Sequence, residues 1–95
     1  MAKRPRTARG CAFELHAQVW RDGAYANLAW PRILVDAGLS QQDRSFATEL
    51  AYGSLRRFGQ WQRVVEAASG RSASQLQPDV LWVLVLGTHQ LLAMS

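Results

Sequence analysis

An all-α bundle of about five helices is the fold class this sequence predicts, and three observations carry it. Apolar residues recur at helical rather than alternating spacing along most of the chain. Gly and Pro fall at a few points that divide it into pieces of helical length. Helix-start chemistry stands at Ser40 and at Pro78. The chain has 95 residues, enough for one small domain, and 48% apolar against 19% charged residues is core-forming composition rather than that of a disordered tail.

The first helix is predicted over residues 7–21. Ala8, Ala12, Leu15 and Val19 stand at i, i+4, i+7 and i+11, which places them within an arc of ~60° at 100° per residue. Asp22-Gly23 stops it, Gly being free to adopt a left-handed conformation. A shorter second helix lies between Ala26 and Ala37, with Pro31 either starting it or kinking it, because a mid-helix proline removes a hydrogen bond. The third begins at Ser40, where Ser40-Gln41-Gln42-Asp43 supplies an N-cap oxygen and an acid three residues on. Phe46, Leu50 and Gly53 share one arc of it, so Gly53 marks a close helix approach rather than a turn. This helix either continues past Gly59 or breaks there into a fourth, with Trp61, Val64 and Val65 inward. The last starts near Pro78, a good first-turn proline, and its main stripe is read as Val80, Leu84, Gly87 and Leu91, with Trp82 and Leu86 on the opposite side. The run from Val80 to Leu86 has the composition of a buried strand, but its continuation to Leu91-Leu92 makes it a helix by length. A helix apolar all round needs protein on every side. Four preceding helices hardly supply that, so the segment reads as part of a longer chain or as a domain that dimerises.

Several function classes drop out. Cys11 is the single cysteine, so no internal disulfide forms, and no Cys/His cluster has zinc spacing. The longest fully apolar run is seven residues, against the ~20 of a membrane span. No apolar signal region follows the basic start Met-Ala-Lys-Arg-Pro-Arg, so a soluble cytoplasmic domain with no membrane partner is expected. The net charge of +4 is unevenly placed: residues 1–10 hold Lys3, Arg4, Arg6 and Arg9 without an acid, whereas residues 11–95 hold seven Arg and seven Asp or Glu. A basic arm over residues 1–9 on a neutral domain over residues 10–95 points to a polyanion partner, and Arg rather than Lys suits bidentate phosphate contacts and stacking on bases. The alternative is a solvated terminus with no partner.

The string Asp43-Arg44-Ser45-Phe46-Ala47-Thr48-Glu49-Leu50-Ala51-Tyr52-Gly53-Ser54-Leu55-Arg56-Arg57 resembles the central helix of the NusB-like RNA-binding domain. The closest resemblance is to the copy at the N-terminus of bacterial small-subunit rRNA cytosine-5 methyltransferases (the Sun/Fmu/RsmB group). Arg9-Gly10-Cys11-Ala12 with Val19 is similar to that domain's first helix, Gly23-Ala24-Tyr25-Ala26-Asn27-Leu28 to its first loop and second helix, and Gly87-Thr88-His89-Gln90-Leu91-Leu92 to its Gly-x-Tyr-Gln-Leu-Leu segment. His89 stands where the family usually has Tyr, and Gln62 where it often has Asp. The resemblance implies a compact NusB-like bundle, truncated at its C-terminal side. It also implies that a linker and an S-adenosylmethionine-binding methyltransferase domain lie beyond this chain. No Gly-rich strand-to-helix turn or Pro-Cys motif is present, so this stretch is expected to be no enzyme and to hold no cofactor itself, whatever its parent does.

The resemblance places an Arg-rich RNA-contacting segment at the arm, which makes Lys3, Arg4, Arg6 and Arg9 the leading RNA-binding candidates, with small-subunit rRNA the expected partner. If the first helix extends back to Arg6, then Arg6, Arg9, Phe13 and Trp20 share an arc of ~60°, arginines interleaved with rings that stack bases. The competing reading makes Phe13 and Trp20 a second core face. A further patch is Tyr52, Arg56 and Arg63, aligned within ~40° if the helix runs unbroken through Gly59. Arg56 matches the family's Gly-x-Leu-Arg arginine, and a pairing of Glu49 with Arg56 turns the patch into an ordinary solvated face. Arg57 follows Phe46, Leu50 and Gly53 inward, a place from which it snorkels or binds helix-end carbonyls. Cys11 reads as a small core residue, and His16 and His89 are each too isolated from other ligand-type residues to read as metal ligands. Trp30, Trp61 and Trp82 read as core, or as rings covered by helices that lie beyond this stretch. Two functions follow: an RNA-anchoring accessory domain of an rRNA cytosine-5 methyltransferase, or a protein-docking or dimerisation module related to the NusB antitermination factor, built on apolar surface of the last helix, Trp82 and Leu86 above all.

Overall fold

A computed structural model describes residues 7–94, and among these the regular elements are all helical. Helix α1 (Ala8–His16) starts at Thr7, an extended N-cap whose side chain accepts from the Gly10 amide at 3.0 Å. It runs on through a π-helical turn, Ala17–Arg21, and stops where Gly23 takes φ 73°. Thr7 is the cap and Ala8 the first helical residue, and Arg6, the first member of the four-residue arc drawn to Trp20, lies outside the described residues.

Helix α2 (Ala26–Ala37) holds Pro31 inside it rather than at its start, and Gly38 closes it at φ 65°. Helix α3 (Gln41–Arg56) is capped by Ser40, whose hydroxyl accepts from the Asp43 amide at 3.2 Å. The chain breaks at Arg57 (φ −104°, ψ 19°), not at Gly59, and α4 (Phe58–Ser69) follows at once. Gly70 closes α4, a 3-10 turn spans Ala73–Gln75, and α5 (Pro78–Ala93) opens with its proline in the first turn.

Helix α3 lies against α1, and α5 packs across α4, α3 and α1. One cluster joins Cys11, Ala12 and Leu15 of α1 with Ala29, Trp30 and Ile33 of α2, Ala47, Leu50 and Ala51 of α3, and Leu86 of α5. A smaller one joins Trp61 and Val65 of α4 with Leu81 and Val85 of α5. Trp30, Trp61 and Trp82 are all buried. The inward face of α5 is not the predicted stripe. Leu81, Trp82, Val85, Leu86 and His89 are buried, while Val80, Leu84 and Leu91 are exposed. On α4 it is Trp61 and Val65 that turn inward, and Val64 is 37% exposed. Among the described residues no helix is long and apolar enough to cross a membrane.

Candidate nucleic-acid interface

Lys3, Arg4 and Arg6 of the basic arm lie outside the described residues. Arg9 is the first arm cation the structure places, in the opening turn of α1. Its Nε donates to Gln90 Oε1 at 3.0 Å, and its guanidinium sits 5.7 Å from the centre of the Phe46 ring, so it ties α1 to both α5 and α3 while staying exposed. Phe13 meets Trp82 edge to face at 5.8 Å and packs against the core, which is the structural reading of that ring. Trp20 is half exposed, but its ring lies 4.7 Å from that of Phe58 and its indole nitrogen donates inward.

The second patch divides. Tyr52 and Arg56 line a groove of about 540 Å³ between α3 and α5, together with Thr48, Glu49, Gly53, Arg57 and His89. Arg63 is absent from it, because the break at Arg57 starts a new helix and the unbroken geometry that aligned Arg63 with Arg56 does not exist. Tyr52 is held by its hydroxyl, which donates to the Ala26 carbonyl at 3.4 Å, and by the Trp30 ring at 6.2 Å. Glu49 and Arg56 form no ion pair. Arg57 does not reach inward as predicted: it is exposed, and its guanidinium lies 5.9 Å over the Trp61 ring.

Two buried histidines, which spacing alone did not flag as a pair, organise the interior. The Trp20 indole donates to His16 Nδ1 at 3.0 Å, so the ring proton stands on Nε2, which donates to Ser54 Oγ at 2.8 Å; Ser54 in turn donates to the Ala51 carbonyl at 3.1 Å. Every member of this chain is satisfied, and burial pushes His16 down to about 4. In the second relay the Trp61 indole donates to His89 Nδ1 at 2.9 Å. His89 is only 4% exposed, and burial, then the Arg57 charge, lowers its pKa against the opposing pull of Glu49. The first pair sits at i, i+4 on one helix and was legible in principle; the second joins residues 28 apart, with no local signal.

Gly53 explains how α5 comes so close. A Cβ there would run into Nε2 and Cε1 of His89, so the imidazole occupies the space a side chain would fill. Cys11 is buried and its thiol is pushed up by that burial, the opposite of what a nucleophile needs. No group of three or more His, Cys, Asp or Glu among the described residues is placed to hold a metal ion.

Residues 6–95 match the NusB family. Two Mycobacterium tuberculosis proteins named as methyltransferases, from strains CDC 1551 / Oshkosh and ATCC 25618 / H37Rv, are each 45% identical to the chain over 85 residues. A protein of Synechocystis sp. (strain PCC 6803) named as a probable ribosomal RNA small subunit methyltransferase B is 34% identical over 85 residues. In each case the match covers 90% of this chain but 19% of the relative's length. No solved structure matches the chain. A helical bundle built around the α3 string and the α5 Gly-x-His-Gln-Leu-Leu segment, together with a family match over nearly all of its length, makes this chain a member of the NusB family.

Proposed function

We propose that this chain is the RNA-anchoring domain of a cytoplasmic rRNA cytosine-5 methyltransferase, gripping small-subunit rRNA while a separate domain of the parent protein performs methyl transfer. The observation that carries this reading is the localised charge. Residues 1–10 carry four cations and no acid, while seven Arg and seven acids balance in the remainder. Family membership and the rRNA methyltransferase name of one relative supply the substrate class. S-adenosylmethionine belongs with the parent's other domain.

The test follows from the N-terminal geometry. Removing residues 1–9 would delete the Thr7 cap and the Arg9 tether along with the charge, so the clean variant is Lys3→Gln, Arg4→Gln, Arg6→Gln in the full chain. Its RNA affinity is expected to fall with helicity intact. Unchanged affinity would remove the arm from the binding surface.

A second reading rests on exposed apolar residues of α5: Val80, Val83 and Leu84, joined by Phe13 along a shallow groove. These residues form the apolar surface expected of the last helix, with Trp82 and Leu86 replaced as its members because both are buried. We infer a protein-docking or self-association face there. Size-exclusion chromatography with light scattering tests it: a discrete dimer supports the face, and a monomer across a concentration series removes self-association.

A further inference from the structure

We infer that the groove between α3 and α5 is a phosphate seat, in which the Nε2–H of His89 is a buried, preoriented donor and Arg56 and Arg57 supply the charge. The groove is built rather than incidental. Its wall is His89, nine-tenths buried and more, and Trp61 holds the ring by donating to Nδ1 at 2.9 Å. That bond fixes the proton on Nε2. Nε2 has no hydrogen-bond partner among the described residues, yet no fully buried side-chain nitrogen or oxygen among them lacks one, so Nε2 opens onto the groove. It sits where Gly53 leaves room that any other residue would close.

Arg56 and Arg57 line the same groove, and Arg57 is steadied over Trp61, the residue that also holds His89. A planar guanidinium beside a fixed N–H suits a tetrahedral oxyanion, which accepts several such bonds at once. Glu49 lies on the rim and opposes an anion, as do the carboxyl-terminal ends of α3 and α5, by fractions of a charge each. Two full cations and a directed donor outweigh them, and Glu49 gives the proposal a sign that can be checked. The ligand chemistry is a phosphate group, supplied either by an RNA backbone or as free phosphate. The seat goes beyond the arm-based reading and stands or falls separately from it.

The experiment follows the His89 ring signals by NMR in the full chain, first against inorganic phosphate and then against a short single-stranded RNA. Sodium chloride of matched ionic strength is the control. A saturable displacement with phosphate is expected, weakened about fivefold or more in Arg56→Gln and in Arg57→Gln and strengthened in Glu49→Gln. All three side chains are exposed, and Arg56→Gln touches no core contact, so it keeps the test decisive if Arg57→Gln loosens Trp61. RNA that reproduces the displacement and competes with phosphate identifies the backbone as the source. Phosphate binding without an RNA response keeps the seat and assigns it to free phosphate. Ring signals that stay still with phosphate, that move with RNA alone, or that move equally in the Arg56→Gln, Arg57→Gln double variant overturn it.

Discussion

His16 is the most consequential single residue of the interior, because it is fully buried, neutral and bonded at both ring nitrogens. Its folded pKa of about 4 lies below the unfolded value near 6.5, so the unfolded chain binds the extra proton between those values. The stabilisation is therefore complete above about pH 6.5 and is lost as pH falls toward 4, by up to roughly 3 kcal/mol, with His89 adding in the same direction. Urea unfolding at a series of pH values measures this slope, and His16→Gln is expected to flatten it while lowering stability at neutral pH. Ser54→Ala leaves the Nε2–H of His16 without its acceptor and is expected to cost about 1–3 kcal/mol. Gly53→Ala tests a different force. Helix propensity alone favours alanine by about 1 kcal/mol, but the new methyl collides with the His89 ring, so net destabilisation of about 1–3 kcal/mol is expected on denaturant titration. A gain in stability would mean that α5 does not approach α3 so closely.

Among the elements, those with end chemistry in the sequence were the ones that could be read. Ser40, Pro78 and the left-handed glycines at 23 and 38 mark boundaries through groups local to the chain, and α2, α3 and α5 begin where those groups place them. The close approach at Gly53 was also legible, as a small residue on an otherwise large apolar arc. The inward face of α5 was not. A helix apolar nearly all round carries no periodic contrast, and what selects Leu81, Trp82, Val85 and Leu86 is the position of α4 and of Phe13 on α1, which no local spacing encodes. The break at Arg57 was hidden for a related reason: Gly59, the residue that looked like punctuation, lies inside α4. In the groove between α3 and α5, the neighbourhood of Tyr52 and Arg56 was legible from helical spacing, whereas His89 enters that groove from a helix more than thirty positions on. The face assignment is testable. Trp82→Ala is expected to destabilise by about 3–5 kcal/mol and Val83→Ala by about 0.5 kcal/mol or less. Thermal melts that rank the two the other way would put Val83 rather than Trp82 on the inward face.

For the whole molecule the decisive quantity is where charge sits relative to a nearly neutral body. Residues 7–94 hold eight Arg against seven acids, so whatever long-range attraction the domain exerts on RNA comes chiefly from Lys3, Arg4 and Arg6. A binding surface made by such an arm releases counterions, and log affinity then falls with log salt by roughly 0.7 per neutralised phosphate on single strands. Replacing the three arm cations by Gln is thus expected to lower affinity most at low salt and to reduce the slope by up to about 2. Arg9 remains in that variant, held by Gln90 and Phe46, so the Thr7 cap and the α1 packing persist and circular dichroism is expected to be unchanged. The groove makes a separable contribution. Arg56→Gln and Arg57→Gln remove charge from one point on the body, so they are expected to lower affinity with a smaller change in slope, and to add to the arm substitutions rather than duplicate them. An arm variant whose slope matches that of the unaltered chain would place RNA binding on the body of the domain, and the arginines flanking His89 would then be the first residues to carry it.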